Sequence, residues 1–333
     1  MGPPFSGPRN MRYLITGGAG FIGSHLTDAL IARGDSVAVL DNLATGSTEN
    51  LLHLEGNGSL EVHAGSILDD HMVRTLVSES DVVVHLAAAV GVQLIVSEPL
   101  ESMITNIRGT ENVLGACAEQ GKKVLVASTS EIYGKNSMGP LHEDSDRILG
   151  SPFKSRWSYS TSKAVDEILA HTYWKVKGTH SIVVRLFNCV GPRQTGSYGM
   201  VVPRFVRQAI RGEDISVYGT GEQRRCFCHV ADTVAALVML LDHPDTAGQV
   251  FNVGNDQEIS MNDLAQLVIK LTGSDSKIIH IPYDVAYEEG FEDMERRVPD
   301  TNRLAALTGW GPSRDLEGTI KDVIEFERDK DQS

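Results

Sequence analysis

Short apolar runs alternate with longer stretches of helical character along the first half of the chain. The pattern predicts strands at residues 12–16, 36–40, 60–64, 81–86 and 123–128. The stretches between them predict helices near residues 23–33, 69–79 and 99–120. Such alternation of strand and helix is typical of a parallel sheet with helices on both faces. Ligands bind to sheets of this kind at the carboxyl ends of the strands.

The pattern changes in the middle of the chain. A helix predicted at 159–177 is followed by a strand at 180–188, after which the elements are short and mixed. We therefore expect an α/β fold with a doubly wound parallel sheet at 11–188 and a smaller mixed α/β region at 189–330. The smaller region is expected mainly to bind substrate, and some of its segments are expected to return to the first domain. The polar residues 284–300 are predicted to form a loop.

Composition places the chain among ordinary globular proteins, with 41% hydrophobic and 22% charged residues in 333. No apolar run approaches the roughly 18 residues that span a bilayer. Residues 1–10 lack the apolar core of a signal peptide and are predicted to be a flexible tail. The four cysteines form no CxxC pair, so neither a metal site nor a disulfide framework is predicted. These features favour a cytoplasmic protein that does not associate with membranes.

The net charge of −14 argues against a nucleic-acid partner. It does not exclude a small anionic substrate, because local arginines can outweigh the global field. Arginines are indeed concentrated in the second half of the chain: Arg185, Arg193, Arg204, Arg207, Arg211, Arg224, Arg225, Arg296 and Arg297.

The stretch "YLITGGAGFIGSHL" (13–26) combines a strand, a glycine turn and the start of a helix. Gly18, Gly20 and Gly23 fit the dinucleotide fingerprint GxGxxG, and Gly17 adds a further glycine. Glycines let the backbone approach a pyrophosphate, whose charge lies at the helix N-terminus. Asp41 ends the next strand about 20 residues later, where a carboxylate accepts hydrogen bonds from ribose hydroxyls and repels a 2′-phosphate. The sequence therefore predicts a Rossmann domain that binds NAD rather than NADP.

A tyrosine and a lysine are spaced to share one face of the helix that follows. Tyr159 and Lys163 are four residues apart, so the ammonium can lower the pKa of the phenol and make it a usable base. Tyr173 and Lys177 have the same spacing in the same helix. Tyr173 lies roughly 21 Å further along, at 1.5 Å per residue, and is expected to pack against a neighbour. Only Tyr159 is expected to face a crevice at the strand ends.

The stretch "STSEIYG" (128–134) places hydroxyls and a carboxylate directly after the predicted strand 123–128. Together with the glycine turn, Asp41, "HLAA" (85–88), YxxxK and "RLFNCVGP" (185–192), it occurs in a familiar order and spacing. This set resembles the extended short-chain dehydrogenases/reductases that act on nucleotide sugars. The resemblance covers the chain from about residue 11 to residue 330.

The resemblance implies the residues that contact NAD. They are Gly17, Gly20, Phe21, Ile22, Gly23, Asp41, Asn42, Ser66, Ile67, Leu86, Ala87, Ala88, Tyr159 and Lys163. The family usually has Asp-Ile where this chain has Ser66-Ile67, and a serine can still hydrogen-bond to adenine. The family also implies a homodimer in which helices 99–120 and 159–177 form a four-helix bundle.

The family includes 4-epimerases, 4,6-dehydratases and uronic acid decarboxylases, all of which begin by oxidising C4 of the sugar. The hydroxyl that binds the C4 oxygen in the family would be that of Thr129 or Ser130. Simple 4-epimerases usually lack an acid at the position of Glu131, whereas one branch of dehydratases carries Ser-Glu. The pattern TSExYG resembles the UDP-glucuronic acid decarboxylases. The stretch 154–163 resembles the decarboxylase of the aminoarabinose pathway.

A segment near the end of the chain also favours decarboxylation. Residues 295–310 resemble the decarboxylase segment RxP, in which Arg297 would lie at the substrate carboxylate. Without the resemblance, Arg296 and Arg297 would be interpreted as an exposed basic pair.

The family further implies contacts to a nucleotide sugar, most simply UDP-glucuronate, although a TDP sugar remains an alternative. The predicted substrate-binding residues are Asn188, Arg193, Arg204, Tyr218, Arg225 and Arg297. Three other functions stay open: a 4-epimerase acting on a UDP-sugar or UDP-uronate, a 4,6-dehydratase, and a non-catalytic NAD-sensing protein.

Overall fold

The protein is described here by a computed structural model that covers residues 10–89, 98–154, 156–195, 200–283, 294 and 296–331. The predicted tail and most of the predicted loop 284–300 lie outside these residues. The strands of the first half are β1 (Arg12–Thr16), β2 (Ser36–Asp41), β3 (Leu60–Ala64), β4 (Val82–His85), β5 (Lys123–Thr129) and β6 (Ser181–Leu186). Those of the second half are β7 (Cys189–Val190), β8 (Ile215–Tyr218), β9 (Arg224–Cys226), β10 (Cys228–His229), β11 (Val250–Val253), β12 (Glu258–Ser260), β13 (Ile278–Ile281) and β14 (Arg296–Arg297).

The helices follow the same alternation. They are α1 (Phe21–Ala32), α2 (Asp70–Ser78), α3 (Pro99–Gln120), α4 (Arg156–Lys177), α5 (Val201–Ile210), α6 (Val230–Asp242), α7 (Met261–Thr272), α8 (Asn302–Thr308) and α9 (Leu316–Asp331). The helix predicted from residue 159 begins three residues earlier, which places Tyr159 in its first turn. None of the described helices is long and apolar enough to cross a membrane.

The main sheet has seven parallel strands in the order β3-β2-β1-β4-β5-β6-β11. The order in which successive strands are added reverses between β1 and β4, which opens a crevice at their carboxyl ends. Successive residues of β1 point to opposite faces: Tyr13 and Ile15 pack in one apolar cluster and Leu14 in another. Helices α1 and α6 cover the first face, and α2, α3 and α4 cover the second. The predicted doubly wound parallel sheet is confirmed.

The second half of the chain contributes to two places. Strand β11 pairs with β6 at the edge of the main sheet, and α6 packs against α1. The remaining elements surround a third apolar cluster that includes Phe205, Leu264 and Ile320. Strand β9 lies between β12 and β14, and β8 pairs with β13. The loop prediction is wrong at Arg296 and Arg297, because these residues hydrogen-bond to β9 as a short strand.

Candidate active site

One large cavity, of about 640 Å³, lies where the main sheet meets the smaller region. Its walls come from the glycine turn, from the ends of β2, β4, β5 and β6, and from segments after residue 188. The cavity therefore opens at the carboxyl ends of the parallel strands, where the reversal of strand order leaves room for a ligand.

The glycine turn forms the floor of one half of this cavity. A side chain at Gly23 would place its Cβ 2.2 Å from the carbonyl oxygen of Gly17, so only glycine allows this approach of helix to turn. Helix α1 begins directly after Gly20, which caps it without a side-chain hydrogen bond. Gly20, Phe21 and Ile22 line the cavity. The uncapped N–H groups of the first turn suit a pyrophosphate.

Asp41 is buried at the end of β2 and lines the same half of the cavity. Its Oδ2 accepts a hydrogen bond from the Ala19 N–H at 3.0 Å, and its Oδ1 accepts one from the Leu43 N–H at 2.8 Å. A carboxylate has about four acceptor sites, so two remain for the hydroxyls of a ribose. The residues of this half therefore fit NAD.

Of the residues predicted at the adenine end of the site, some line the cavity and one does not. Ile67, Leu86, Ala87, Ala88 and Asn42 line the cavity. Ser66 is not among the lining residues, because its hydroxyl faces the chain and accepts a hydrogen bond from the Leu68 N–H at 3.2 Å. The structure does not bring this predicted contact into the cavity.

The predicted reacting groups do lie together on one wall. Thr129, Ser130, Glu131, Tyr159 and Lys163 all line the cavity. The Thr129 hydroxyl lies close enough to the Tyr159 side chain to act on its pKa, and Ser130 has no such effect, so the structure favours Thr129 as the hydroxyl beside the phenol.

The ionisation of Tyr159 differs from the expectation. Its pKa is raised rather than lowered, chiefly by burial and then by the negative charges of Glu131 and Asp166. The Lys163 ammonium, from which a lower pKa was expected, lies 2.7 Å from a carboxylate oxygen of Asp166.

The stretch "STSEIYG" is held at both ends by buried polar contacts. At one end, the Ser128 hydroxyl donates to Glu167, which also pairs with Arg185 at 2.7 Å. At the other, Arg185 donates to the Tyr133 hydroxyl at 2.9 Å, and that hydroxyl donates to Asn252 at 2.7 Å. These anchors leave the residues between them facing the cavity, which explains why a strand end carries so many polar groups.

Arg297 lies opposite this stretch. Its Nη2 donates to Asn188 Oδ1 at 2.9 Å, and its Nη1 lies 3.8 Å from Glu131 Oε1. The neighbouring Arg296 instead pairs with Glu258 at 2.8 Å and is half-exposed. Successive strand residues point to opposite sides, so β14 places one arginine in the cavity and the other outside it.

The other predicted substrate contacts divide in the same way. Arg204, Tyr218 and Arg225 line the cavity, and the Arg204 guanidinium lies 3.9 Å from the centroid of the Tyr218 ring. Arg193 does not line it, because its guanidinium pairs with Asp28 on α1 at 2.8 Å. The structure therefore assembles five of the six predicted substrate residues, Asn188 and Arg297 included.

Comparison with known proteins identifies the family. Residues 13–254 match the NAD dependent epimerase/dehydratase family. The protein belongs to this family. The chain is 41% identical to the UDP-N-acetyl-alpha-D-glucosaminuronate decarboxylase of Bacillus cytotoxicus, over 96% of this chain and 98% of the relative. It is 37% identical to UDP-glucuronic acid decarboxylase 1 of Xenopus tropicalis, over 95% of this chain and 72% of the relative.

Solved structures of the family superpose on the whole chain. The UDP-glucose 4-epimerase of Thermotoga maritima, determined with UDP-glucose, has a TM-score of 0.86 at 32% identity, covering 96% of this chain and 99% of that one. The UDP-glucuronic acid 4-epimerase of Bacillus cereus, determined with UDP-glucuronic acid and NAD, has a TM-score of 0.87 at 26% identity, covering 96% and 100%. The predicted extended short-chain dehydrogenase/reductase family and its NAD cofactor are confirmed.

Several residues that line the cavity were not predicted from the sequence. Gln223 and Phe227 line the cavity on either side of Arg225. Gln223 and Phe227 each lie two residues from Arg225, so the strand period of two could have predicted them from Arg225 alone. Tyr283 and Met261 also line the cavity, but their position depends on how distant segments pack, and no local pattern marks them.

Proposed function

We propose that this protein is an NAD-dependent decarboxylase of a UDP-linked uronic acid, converting UDP-glucuronate to UDP-xylose or its 4-keto precursor. The observation that supports the proposal best is the position of Arg297. Its buried guanidinium faces Glu131 across the cavity that also holds Tyr159. The names of the decarboxylase relatives support the same activity.

The chemistry begins at C4 of the sugar. NAD+ held by the glycine turn and Asp41 would supply the hydride acceptor for C4, and it could later return the hydride. Tyr159 takes the proton of the C4 hydroxyl, while the Thr129 hydroxyl stabilises the developing negative charge on that oxygen. The resulting ketone is β to the C6 carboxylate, so CO2 can leave because the carbonyl accepts the electron pair as an enolate.

Arg297 would orient the carboxylate for this loss. Its guanidinium donates to the amide oxygen of Asn188 and contacts the carboxylate of Glu131 at 3.8 Å. The C6 carboxylate of a uronic acid offers the same charge and oxygen geometry as Glu131, so it can replace that contact. Glu131 would then be released to position the ring or to take part in protonating C5.

A second substrate is favoured by one observation. The relative from B. cytotoxicus, at 41% identity, is named for a 2-acetamido uronate. That sugar carries the same C4 hydroxyl and C6 carboxylate, so the groups described above serve it equally well. The choice between the two substrates depends on contacts to C2.

One incubation tests both the reaction and the substrate. The protein is mixed with NAD+ and either UDP-glucuronate or UDP-N-acetylglucosaminuronate in deuterated water, and the products are analysed by mass spectrometry. We expect CO2 and a UDP-pentose or its 4-keto form, with deuterium at C5 because the enolate takes a solvent proton. A product that keeps its carboxylate and has an inverted C4, with no deuterium on carbon, would replace the decarboxylase proposal with the epimerase alternative.

A matched pair of tyrosine variants tests the base. Tyr159→Phe should abolish turnover and leave UDP binding unchanged, since it removes one proton-accepting oxygen. Tyr173→Phe should leave turnover near normal, because Tyr173 packs against the apolar cluster beneath α3 and α4. Normal turnover by the first variant would show that another group is the base.

We also propose that the protein forms a homodimer through α3 and α4. Both helices expose apolar side chains, among them Leu100 at 71% and Ile168 at 63%. Light scattering should give a dimer for the wild type and a monomer for Ile168→Asp. The control Ile279→Asp changes a similarly exposed residue on β13 and should stay dimeric. A dimeric Ile168→Asp would exclude this interface.

A further inference from the structure

A second carboxylate, which the proposed chemistry does not use, lies behind the reacting groups. Asp166 is on α4, one turn after Lys163, and its side chain is fully buried. Its Oδ2 lies 2.7 Å from the Lys163 ammonium, which is itself only 3% exposed. The adjacent Glu167 cannot take this place, because it already pairs with Arg185 and accepts from Ser128.

The described neighbours of this pair on α3 and β4 are neutral at physiological pH. From α3, the Thr110 hydroxyl acts to lower the pKa of Asp166 and lies 3.0 Å from His85 Nε2 at the end of β4. The other ring nitrogen of His85 contacts the Thr16 hydroxyl on β1 at 2.7 Å. Burial lowers the pKa of His85 to about 3, so this ring is uncharged at neutral pH.

The other charged side chains that line the cavity are of both signs. The charge of Glu131 raises the pKa of Tyr159, Arg297 lies 3.8 Å from Glu131, and Glu98 and Glu101 line the cavity at the start of α3. Among the described residues in contact with Lys163, Asp166 therefore supplies the opposing charge.

We propose that Asp166 is a positioning residue that holds the Lys163 ammonium and offsets its charge, and thereby sets the pH at which Tyr159 acts as the base. The inference rests on the role proposed for Tyr159. Lys163 lines the cavity, so its other protons can reach a bound ribose, and in Asp166→Asn the amide oxygen can still accept a hydrogen bond from the ammonium and hold it in the charged form. Removal of the carboxylate then leaves a positive charge that favours the phenolate.

The size of the effect follows from the helix geometry. Asp166 is seven residues after Tyr159, about 10 Å along the helix axis. One unit charge at that distance and an effective dielectric constant of about 20 changes a pKa by about one unit. We therefore expect Asp166→Asn to move the acidic limb of the kcat/KM pH profile about one unit lower. Glu325→Gln removes one charge from an exposed position on α9 and should leave the limb in place.

A direct titration separates this inference from the proposed reaction. The ultraviolet difference absorbance of tyrosinate, taken as NAD+-loaded protein minus the same protein with Tyr159→Phe, reports the phenol without any substrate. It should shift downward by about one unit in Asp166→Asn. An unshifted or upward titration would overturn the inference, whereas a downward shift in a protein that does not release CO2 would leave it standing and refute only the decarboxylase proposal.

A second variant covers the case in which Asp166→Asn does not fold. Lys163→Met with Asp166→Leu replaces the buried pair by apolar side chains of similar size, a change that buried ion pairs often tolerate. If the opposite charges of Lys163 and Asp166 cancel in their effect on Tyr159, the pKa of the phenol in this variant should lie within about half a unit of its wild-type value. An increase of about one unit or more in this double variant would show that the Lys163 charge acts unopposed in the wild type, which would overturn the inference.

Discussion

The two halves of the cavity are built in different ways. In the cofactor half, the contacts come from the glycine turn and from the ends of neighbouring strands of one sheet, with Asp41 as the main polar side chain. In the substrate half, long side chains such as Arg204, Arg225 and Arg297 come from separate small elements. Backbone geometry thus defines the first half, and side-chain reach defines the second.

The difference predicts how each half tolerates change. A site made of backbone allows no added atoms, because the backbone cannot move without moving the sheet. A site made of long side chains can lose one of them and keep its shape, while losing the interaction that the side chain supplied. The largest effects are therefore expected in the cofactor half.

Gly23→Ala should weaken NAD binding by about 100-fold or more. Its Cβ would lie 2.2 Å from the Gly17 carbonyl oxygen and 2.7 Å from Gly18 Cα, so α1 must move away from the turn. Calorimetric titration with NAD+ measures the effect. Gly311→Ala adds the same atom where nothing lies within 4 Å, and it should bind NAD normally. Binding within threefold of wild type in Gly23→Ala would contradict the backbone argument.

Arg297→Ala should lower kcat for decarboxylation by about 100-fold, the cost of removing a charged hydrogen-bonding partner from a buried carboxylate. UDP affinity should change less than threefold, since the role proposed for Arg297 concerns only the sugar carboxylate. Arg296→Ala is the matched control, because its side chain pairs with Glu258 outside the cavity. Equal losses in kcat and UDP affinity would mean that Arg297 serves the diphosphate.

Arg225→Ala should weaken UDP binding by about tenfold, through loss of one guanidinium contact to phosphate. Arg225 lines the cavity and its neighbour Arg224 is exposed, so Arg224→Ala should change UDP affinity little. Fluorescence titration with UDP compares the two variants. Equal effects would show that the substrate half does not distinguish the two sides of β9.

The smallest effect concerns stability. Burial lowers the pKa of His85 to about 3, against about 6.5 in an unfolded chain. Below pH 6.5 the unfolded chain takes up a proton that the folded protein does not, so the free energy of unfolding falls as the pH falls. Urea unfolding should show a loss of about 1 kcal/mol from this group between pH 7 and pH 5.5.

His85→Gln should remove that part of the pH dependence. His229, beneath the smaller region, has a pKa lowered to about 4 by burial and should contribute in the same direction. Comparison of His85→Gln with His229→Gln therefore gives one pH-sensitive probe of stability in the main sheet and one beneath the smaller region. An unchanged slope in His85→Gln would mean that this ring is protonated in the folded protein.

The contrast also explains what the sequence could predict. The sheet and the glycine turn depend on patterns within about 30 residues, and the structure reproduces them closely. The packing role predicted for Tyr173 is confirmed, because position along a helix is also a local property.

The remaining features depend on distant residues. Nothing near Arg193 indicates that Asp28, 165 positions away, would hold its side chain outside the cavity. The raised pKa of Tyr159 depends on burial and on Glu131, which belongs to another element. The choice between Arg296 and Arg297 needed either the family resemblance or the register of β14.

That register has a further consequence. Arg297 and Arg225 are direct partners across the β14–β9 ladder, on strands that lie about 4.8 Å apart. If one binds the sugar carboxylate and the other the diphosphate, the spacing of the two strands fixes the distance between their binding positions. The enzyme would then select substrates by the distance between their two anionic ends. Sugars that present both groups at that span would be accepted, and a uronic acid lengthened by one carbon would be rejected for its size although every charge is present.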